Sequence, residues 1–285
     1  MIQQALAGLI SGGVIAALGV TVVFMYRMLG VVNFAQAGIG ALGGSVGLLL
    51  YGAGWATLPC VVIGIAAGTL IAAAIGWVMA TVFLEDTVEL KSTVTIALFV
   101  AMLAVGNFVL GGTVHSFPDL LGNASVNLAG IGTPVGSVLE CLAAVGLALA
   151  LGALLRLTRI GLELRALAAR PVTAQLMGIR VVPLTVGVWA SAGAFSTLAI
   201  MLILHMATNN FSPLASYIVP ALAAALLGLF RSMTVTALAG IGIGIAESLT
   251  LTIGPVARYS DALPFLVIIV VMMWWRRKDV WADAR

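Results

Sequence analysis

The sequence contains few charged residues: only 8% of its 285 residues are Asp, Glu, Lys or Arg, whereas about a quarter of the residues in soluble domains are charged. Hydrophobic residues make up 62% of the chain, and the mean hydropathy is +1.20. This composition excludes an ordinary soluble domain and predicts a polytopic membrane protein. The net charge of +3 is small and lies near predicted membrane ends, so we expect no nucleic-acid partner.

Cysteines and catalytic motifs are also scarce. The only two cysteines, Cys60 and Cys141, lie in apolar runs without metal-ligand or CxxC spacing, so we interpret them as packing residues. The chain has no phosphate-binding loop, no HExxH motif, no Ser-His-Asp set and no usable carboxylate pair. We therefore expect no metal site and no cofactor bound by this chain, and we do not expect an enzyme. ATP-driven transport would require hydrolysis by another chain.

Apolar runs divide the chain into membrane spans of about 20 residues each. The sequence has six long runs and three that are shorter or interrupted by glycine. The long ones lie near 5–26, 57–83, 92–112, 136–155, 183–204 and 233–253, and the others near 31–50, 214–230 and 263–275. They predict an all-α fold of eight or nine transmembrane helices, forming a single transmembrane domain over residues 1–285. Pro213 and Pro220 flank one run and predict an irregular span there.

The longest polar passage runs from Arg156 to Arg180 and holds five of the thirteen Lys and Arg residues. Because positive charge accumulates on the cytoplasmic side of membrane proteins, we place residues 156–182 in the cytoplasm. Alternating nine spans outward from this segment puts twelve of the thirteen cationic residues inside and only Arg258 outside. This agreement favours nine spans with the N-terminus outside.

The same passage predicts two short helices, Leu162–Ala169 and a second that starts at Pro171 and ends at Gly178. Val172 and Leu176 lie one turn apart on one side of the second helix. Because a helix of about two turns is not stable alone in water, it must pack on something. Two interpretations stay open: a basic loop that only sets membrane orientation, or a docking segment for a soluble partner.

A stripe of polar and small residues follows helical steps of three or four along the second span: Asn33, Gln36, Gly40, Gly43 and Gly47. Such a stripe should face protein or a water-filled path. The alternative is that its two amides only form hydrogen bonds between helices, each worth about 1 kcal/mol or less.

A second stripe, which includes Gly240, Gly244 and Glu247, lies in the penultimate span. Glu247 is the acidic residue that we place well within a span, with Glu140 nearer to an end. A carboxylate inside a membrane normally faces the bundle interior, a partner or water. Glu247 could therefore bind the amides of the first stripe, or meet the ammonium group of a passing substrate.

Three stretches together resemble the membrane-spanning permease subunits of branched-chain amino acid ABC importers. They are GVVNFAQAG at 30–38, RLTRIGLELRALAARPVTAQLMGI at 156–179, and the block at 212–249. The resemblance implies a type II-like ABC importer permease architecture with a cytoplasmic coupling helix. It implies import of branched-chain or other small amino acids across the prokaryotic cytoplasmic (inner) membrane, with urea and short amides as further substrates of such proteins.

The resemblance also implies partners for this chain, which itself lies in the lipid bilayer. They are two cytoplasmic ABC ATPase subunits that bind the ATP, a second homologous permease subunit and an external substrate-binding protein. The residues it assigns to ATPase coupling are Arg165, Arg170, Pro171, Val172, Ala174, Leu176, Met177 and Gly178. The residues of the two stripes would line the translocation path or a helix interface. They are Asn33, Gln36, Gly40, Gly43, Gly240, Gly244 and Glu247.

The sequence departs from the family pattern in three places. Arg170-Pro171 replaces the acidic pair that usually precedes the second coupling piece, and an acidic loop at 85–89 replaces an Arg-Pro turn. The glycine-rich turn expected near 228–232 keeps only Gly228 and Ser232. Two other functions stay open: an ion-coupled secondary carrier that uses Glu247, and a non-transporting membrane scaffold.

Overall fold

The computed structural model describes residues 2–110, 117–118, 120, 125–128, 131–204, 211–253 and 257–283. Helices account for almost all of this part of the chain. They are α1 (Ile2–Leu29), α2 (Gln36–Gly52), α3 (Thr57–Thr81), α4 (Val88–Leu110), α5 (Val135–Leu157), α6 (Arg159–Ala169), α7 (Pro171–Leu176), α8 (Val181–Ile203), α9 (Phe211–Ser216), α10 (Ile218–Leu227), α11 (Met233–Thr250) and α12 (Leu263–Asp283). A 3-10 helix, Ala257–Ala262, precedes α12.

The helical fold class is confirmed, with one small addition. Between α4 and α5, strands β1 (Ser125–Leu128) and β2 (Ile131–Pro134) pair antiparallel, with Ser125 opposite Pro134. The sequence of the 113–134 connection, which is rich in turn residues, predicts an external passage between two spans and does not predict these strands. His115 and Asn123 of that passage, and the His205 to Asn210 boundary, lie outside the described residues.

The nine apolar runs each coincide with a helix or a helix pair. Seven helices of the described chain are long and apolar enough to cross a membrane, and α2 and the α9–α10 pair are shorter. The irregular span predicted from the two prolines is the α9–α10 pair, which is interrupted at Tyr217. The seven long helices and the two shorter elements are consistent with the predicted count of eight or nine spans.

Four of the cations assigned to the cytoplasm, Arg27, Lys91, Arg156 and Arg231, lie at one end of the bundle, which we call the inner end. Arg27, Arg156 and Arg231 line one groove there, and Lys91 lines a small cavity with Pro171 of α7. Arg258 lies in the 3-10 helix, whose residues Ser260 and Asp261 share a groove with Gly8 near the start of α1. These positions agree with the predicted orientation.

Helix α1 lies at the centre of the bundle and packs against α5, α8, α10 and α11. Its closest neighbour is α11, because glycines bring the two backbones into contact. A Cβ atom on Gly240 would lie 2.5 Å from the Cα of Ala16, and one on Gly8 would lie 2.6 Å from the carbonyl oxygen of Gly244. Small residues give membrane helices this close contact, since lipid is as apolar as the helices themselves.

The stripe on α2 faces α3 and α8 in the same way. A Cβ on Gly40 would meet the Ser196 carbonyl oxygen at 2.6 Å, and one on Gly43 would meet Cγ2 of Thr197 at the same distance. Gly47 faces Cys60, whose carbonyl oxygen would lie 2.9 Å away. The glycines of this stripe therefore face protein.

Replacing Gly244 with alanine should destabilise the protein by about 1–3 kcal/mol, the usual cost of overpacking. Its new Cβ would lie 2.8 Å from the Gly8 carbonyl oxygen and still closer to the Gly12 backbone. The control is Gly242→Ala in the same helix, where a Cβ meets nothing within 4 Å. Thermal unfolding in detergent should show a loss only for Gly244→Ala; equal stability of both variants would contradict the packing described here.

Candidate functional site

The polar passage after α5 folds into α6 and α7 at the inner end. Helix α6 begins at Arg159, three residues before the predicted start, because Thr158 caps it: its hydroxyl accepts a hydrogen bond from the Gly161 amide at 3.0 Å. Leu164 and Leu167 of α6 are buried. The passage is therefore attached to the membrane bundle and is not a loose loop.

Helix α7 begins at Pro171 and ends where the sequence predicted. Gly178 has a φ of +85°, a conformation that glycine adopts without a steric cost. The Ile179 amide donates to the Ala174 carbonyl at 3.1 Å and the Gly178 amide donates to that of Gln175 at 3.0 Å. This pair of bonds is the glycine-based helix end expected from the sequence.

The apolar side of α7 faces away from the rest of the chain. Ala174, only 2% exposed, packs inward, whereas Val172 is 50%, Leu176 84% and Met177 73% exposed. At 100° per residue, Val172 and Leu176 lie nearly opposite Ala174. The predicted apolar side is present, but this chain does not cover it. We call Val172, Leu176 and Met177 the α7 surface.

The basic residues around the α7 surface are also exposed. Arg165 and Arg170 are exposed, and the Arg165 side chain donates only to the Gly161 carbonyl of its own helix, at 3.3 Å. Two guanidinium groups thus flank an exposed apolar surface. This combination suits a soluble partner with an apolar groove and acidic rims.

A small cavity of about 60 Å³ connects this segment to the transmembrane helices. It is lined by Leu167 and Pro171 from the passage and by Met28, Met79 and Trp189 from α1, α3 and α8. Trp189 is fully buried. A displacement of α6 and α7 would therefore act directly on three spans.

Asn33 and Gln36 are fully buried and form a hydrogen-bond network. Asn33 Nδ2 donates to Gln36 Oε1 at 2.7 Å, and Asn33 Oδ1 accepts from the Ala35 amide at 3.0 Å. Gln36 Nε2 donates to the Ala192 carbonyl at 2.8 Å and to the Ser196 hydroxyl. The structure thus shows these two amides joining α2 to α8.

Thr95 of α4 attaches the linker between α1 and α2, residues 30–35, to a further helix. The sequence pattern does not predict this role. The Thr95 hydroxyl accepts from the Phe34 amide at 3.2 Å. The single hydroxyl proton lies between the Ser92 carbonyl of its own helix, at 2.7 Å, and the Val32 carbonyl, at 3.2 Å. Nothing in the apolar run around Thr95 distinguishes it from other threonines. Only its contact with a segment 61 residues away reveals its role.

Glu247 is half-buried in α11 and lines a groove of about 450 Å³ near the outer end, together with Tyr217 and Asp261. The suggested hydrogen bond to Asn33 or Gln36 is not made, because those residues follow the inner end of α1. The Glu247 carboxylate makes no hydrogen bond with any residue that the structure describes. It is a groove-lining group.

A polar seam beside this groove was not predicted. The amide of Asn107 in α4 donates to the Ser212 hydroxyl at 2.9 Å and accepts from it at 3.2 Å. Ser212, Ser216, Tyr217 and Glu247 line one groove of about 570 Å³ between α9–α10, α11 and α12. We call these five residues the polar seam. Asn107 and Ser216 are exposed on the single chain, and the Ser216 hydroxyl donates to the Ser212 carbonyl at 2.8 Å. Inside a membrane, the remaining hydrogen-bonding positions of these two side chains require a partner or water.

Glu140 of α5 is buried more deeply than Glu247. It is 4% exposed and lines a largely apolar cavity of about 290 Å³ between α1, α5 and α8. Its Cβ lies against Gly13, where an added Cβ would be only 2.8 Å away. Glu140 lies in the first two turns of α5, near a span end as expected, and it is buried there because α1 and α8 enclose this part of the helix.

These features define a class: a multi-pass helical membrane protein with an exposed apolar surface at its inner end. The chain belongs to the family of permease components of branched-chain amino acid transport systems, whose model matches residues 4–272. It is accordingly a multi-pass protein of the prokaryotic inner membrane. No curated protein sequence matches this chain.

Two solved structures show the same fold. One is described as PsaBC from Streptococcus pneumoniae in complex with Fab; it is 16% identical, with 93% of this chain and 88% of that chain covered and a TM-score of 0.51. The other, an inward-facing metal-chelate type ABC transporter, is 15% identical over 95% and 85% of the two chains, with a TM-score of 0.53. At these identities the likeness shows an ABC transporter permease fold.

Replacing Gln36 with leucine should destabilise the protein by about 1–3 kcal/mol, because the change leaves Asn33 and the Ala192 carbonyl without a buried hydrogen-bond partner. Gln175→Leu is the control, since Gln175 is exposed on α7. Thermal unfolding should separate the two variants. A Gln36→Leu protein as stable as the control would contradict the structural role of this network.

Proposed function

We propose that the chain is the membrane-spanning permease subunit of an ATP-driven ABC importer for branched-chain or other small amino acids. The observation that carries this proposal is the α7 surface, an exposed apolar surface at the inner end of a permease-family chain. Its partners would be two ATPase subunits, a second homologous permease subunit and an external substrate-binding protein.

Burial of the α7 surface against an ATPase would contribute favourable free energy to docking. Burying a leucine, valine or methionine side chain contributes roughly 1.5–3 kcal/mol each, and Val172, Leu176 and Met177 gain little of this within the chain. Arg165 and Arg170 add charges for a complementary rim. A segment that served only to orient the chain in the membrane would need the arginines but not the exposed apolar residues.

Transmission from α7 to the membrane would use the cavity at Pro171. Helix α7 is followed by four residues and then by α8, which packs against α2 and α3. Trp189 of α8 and Met79 of α3 line the same cavity as Pro171. ATP-driven closure of the ATPase pair would therefore move α7 against α8, and α8 would carry the displacement to its neighbours.

The substrate path would follow the polar seam. Asn107, Ser212 and Ser216 offer hydrogen-bonding groups that a single chain in lipid would leave without water. Glu247 and Asp261 line the groove at the outer end, where an external binding protein would release a substrate bearing an ammonium group. The second permease subunit would close the open side of this groove. Urea and short amides also fit a path of this polarity.

One observation favours the ion-coupled carrier: the half-buried Glu247 faces a groove, as a proton or sodium site would. Membership of a transport-system permease family favours the ATP-driven importer. A non-transporting scaffold has no need of the polar seam.

Replacing Leu176 with aspartate should reduce co-purification with the ATPase subunits by about tenfold or more, because a buried unpaired charge costs several kcal/mol. Membrane insertion should be unchanged, since Leu176 is 84% exposed. The control is Gln175→Asp, which adds the same charge on the flank of the helix. ATPase recovery that is the same for the wild type and Leu176→Asp would refute docking through this surface.

Glu247→Gln distinguishes the importer from the carrier. The amide keeps the shape and hydrogen-bonding capacity of the side chain, so ATP-driven amino acid uptake into proteoliposomes should stay within a few-fold of wild type. A carrier would lose uptake with its ion site. Two results together would favour the carrier: the Glu247→Gln variant loses uptake although its complex is intact, and a proton or sodium gradient drives uptake by the wild type without ATP.

A further inference from the structure

A groove of about 450 Å³ at the inner end brings together three arginines from three parts of the chain. Arg27 comes from the last turn of α1, Arg156 from the last turn of α5, and Arg231 from the turn between α10 and α11. Neither the transport path nor the α7 surface includes this groove. The charge and polarity of the side chains that line the groove indicate which ligand it could bind.

The turn that presents Arg231 has an unusual backbone. Leu229 and Phe230 have φ values of 52° and 51°, a left-handed conformation that is unfavourable for residues other than glycine. The Arg231 amide donates to the Gly228 carbonyl at 3.0 Å, and the Phe230 ring packs on Tyr26 with centroids 4.9 Å apart. Tyr26 precedes Arg27, so this aromatic contact fixes the two arginines near one groove.

Among the residues that the structure describes, no carboxylate lines the groove beside the three guanidinium groups. None of the three makes an ion pair or side-chain hydrogen bond within the described part of the molecule. Mutual repulsion of like charges raises the free energy of this arrangement, and an anion would lower it. The start of α11, with Met233 and Thr234 in the groove wall, adds the positive end of a helix dipole, which favours an anion.

The remainder of the groove is apolar and follows the surface of α5. Ala148, Leu149, Gly152 and Ala153 form this wall. Leu149 is exposed, and a Cβ on Gly152 would meet nothing within 4 Å. Because the arginines lie at the inner end of their spans, the apolar wall lies at the depth of the inner-leaflet acyl chains.

We propose that this groove binds an anionic phospholipid of the inner leaflet, with its phosphate on Arg27, Arg156 and Arg231 and an acyl chain along α5. Basic pockets between membrane helices on the cytoplasmic side bind such headgroups. An acidic protein partner would use the arginines but not the apolar wall. Arg156 lies three residues before α6, so the bound lipid would stabilise the point where the coupling passage leaves the membrane.

The test is native mass spectrometry of the full chain released from mixed vesicles of phosphatidylcholine and phosphatidylglycerol. We expect the wild type to retain one phosphatidylglycerol that Arg27→Gln/Arg231→Gln loses, with affinity falling about fivefold for each arginine. Arg27→Lys, which keeps the charge, should retain most of the binding. Arg258→Gln, which removes an exposed charge at the outer end, should bind like the wild type.

Thermal unfolding of each variant shows whether the chain is folded, so that lost binding is not confused with lost structure. Equal retention of phosphatidylglycerol by the wild type and the folded double variant would overturn the proposal. So would full competition by inorganic phosphate, which would identify a free anion as the ligand, or equal retention of phosphatidylcholine. The readout is independent of the transported substrate.

Discussion

Backbone contact between glycine-bearing helices is the constraint on which the rest of this structure depends. Lipid offers no hydrophobic advantage to two apolar helices that meet, so their association relies on close packing and a few hydrogen bonds. Gly8 and Gly12 of α1 meet Gly244 of α11 at backbone distance, and Gly240 meets Ala16 in the same way. Gly40 and Gly43 bring α2 equally close to its neighbours. These contacts fix α1 at the centre and leave the other spans little freedom to rotate.

Fixed spans in turn determine the positions of the polar groups. The Asn33 and Gln36 network lies at the junction of α1 and α2 and joins it to α8, while Thr95 joins the same linker to α4. Buried polar groups of this kind are costly unless they are satisfied, and here each amide has partners. The inner end is therefore a rigid base, and the α7 surface is presented on that base.

The sequence predicted the features that depend on local pattern. These are the nine apolar runs, the span interrupted between two prolines, the end of α7 just before Gly178 and the placement of the cations at the inner end. It was not sufficient for features that depend on contacts between distant residues. Asn107 and Ser212 are 105 residues apart, and the three-arginine groove combines the ends of separate spans. Helical period placed Val172 and Leu176 on one side of α7, but period alone cannot tell whether that side faces water or the bundle.

Two surfaces of the single chain differ in polarity from their surroundings. One is apolar and lies in water, and the other is polar and lies in the membrane. The α7 surface exposes apolar side chains to water, whereas the polar seam exposes Asn107 and Ser216 within the membrane region. Water cannot stabilise the first surface and lipid cannot stabilise the second, so no single partner or solvent corrects both. A soluble protein can cover the α7 surface, while another membrane helix or a water-filled path is required at the seam. A permease that works between a cytoplasmic ATPase and a second membrane subunit supplies both, which is why the family assignment and the exposed surfaces lead to the same proposal.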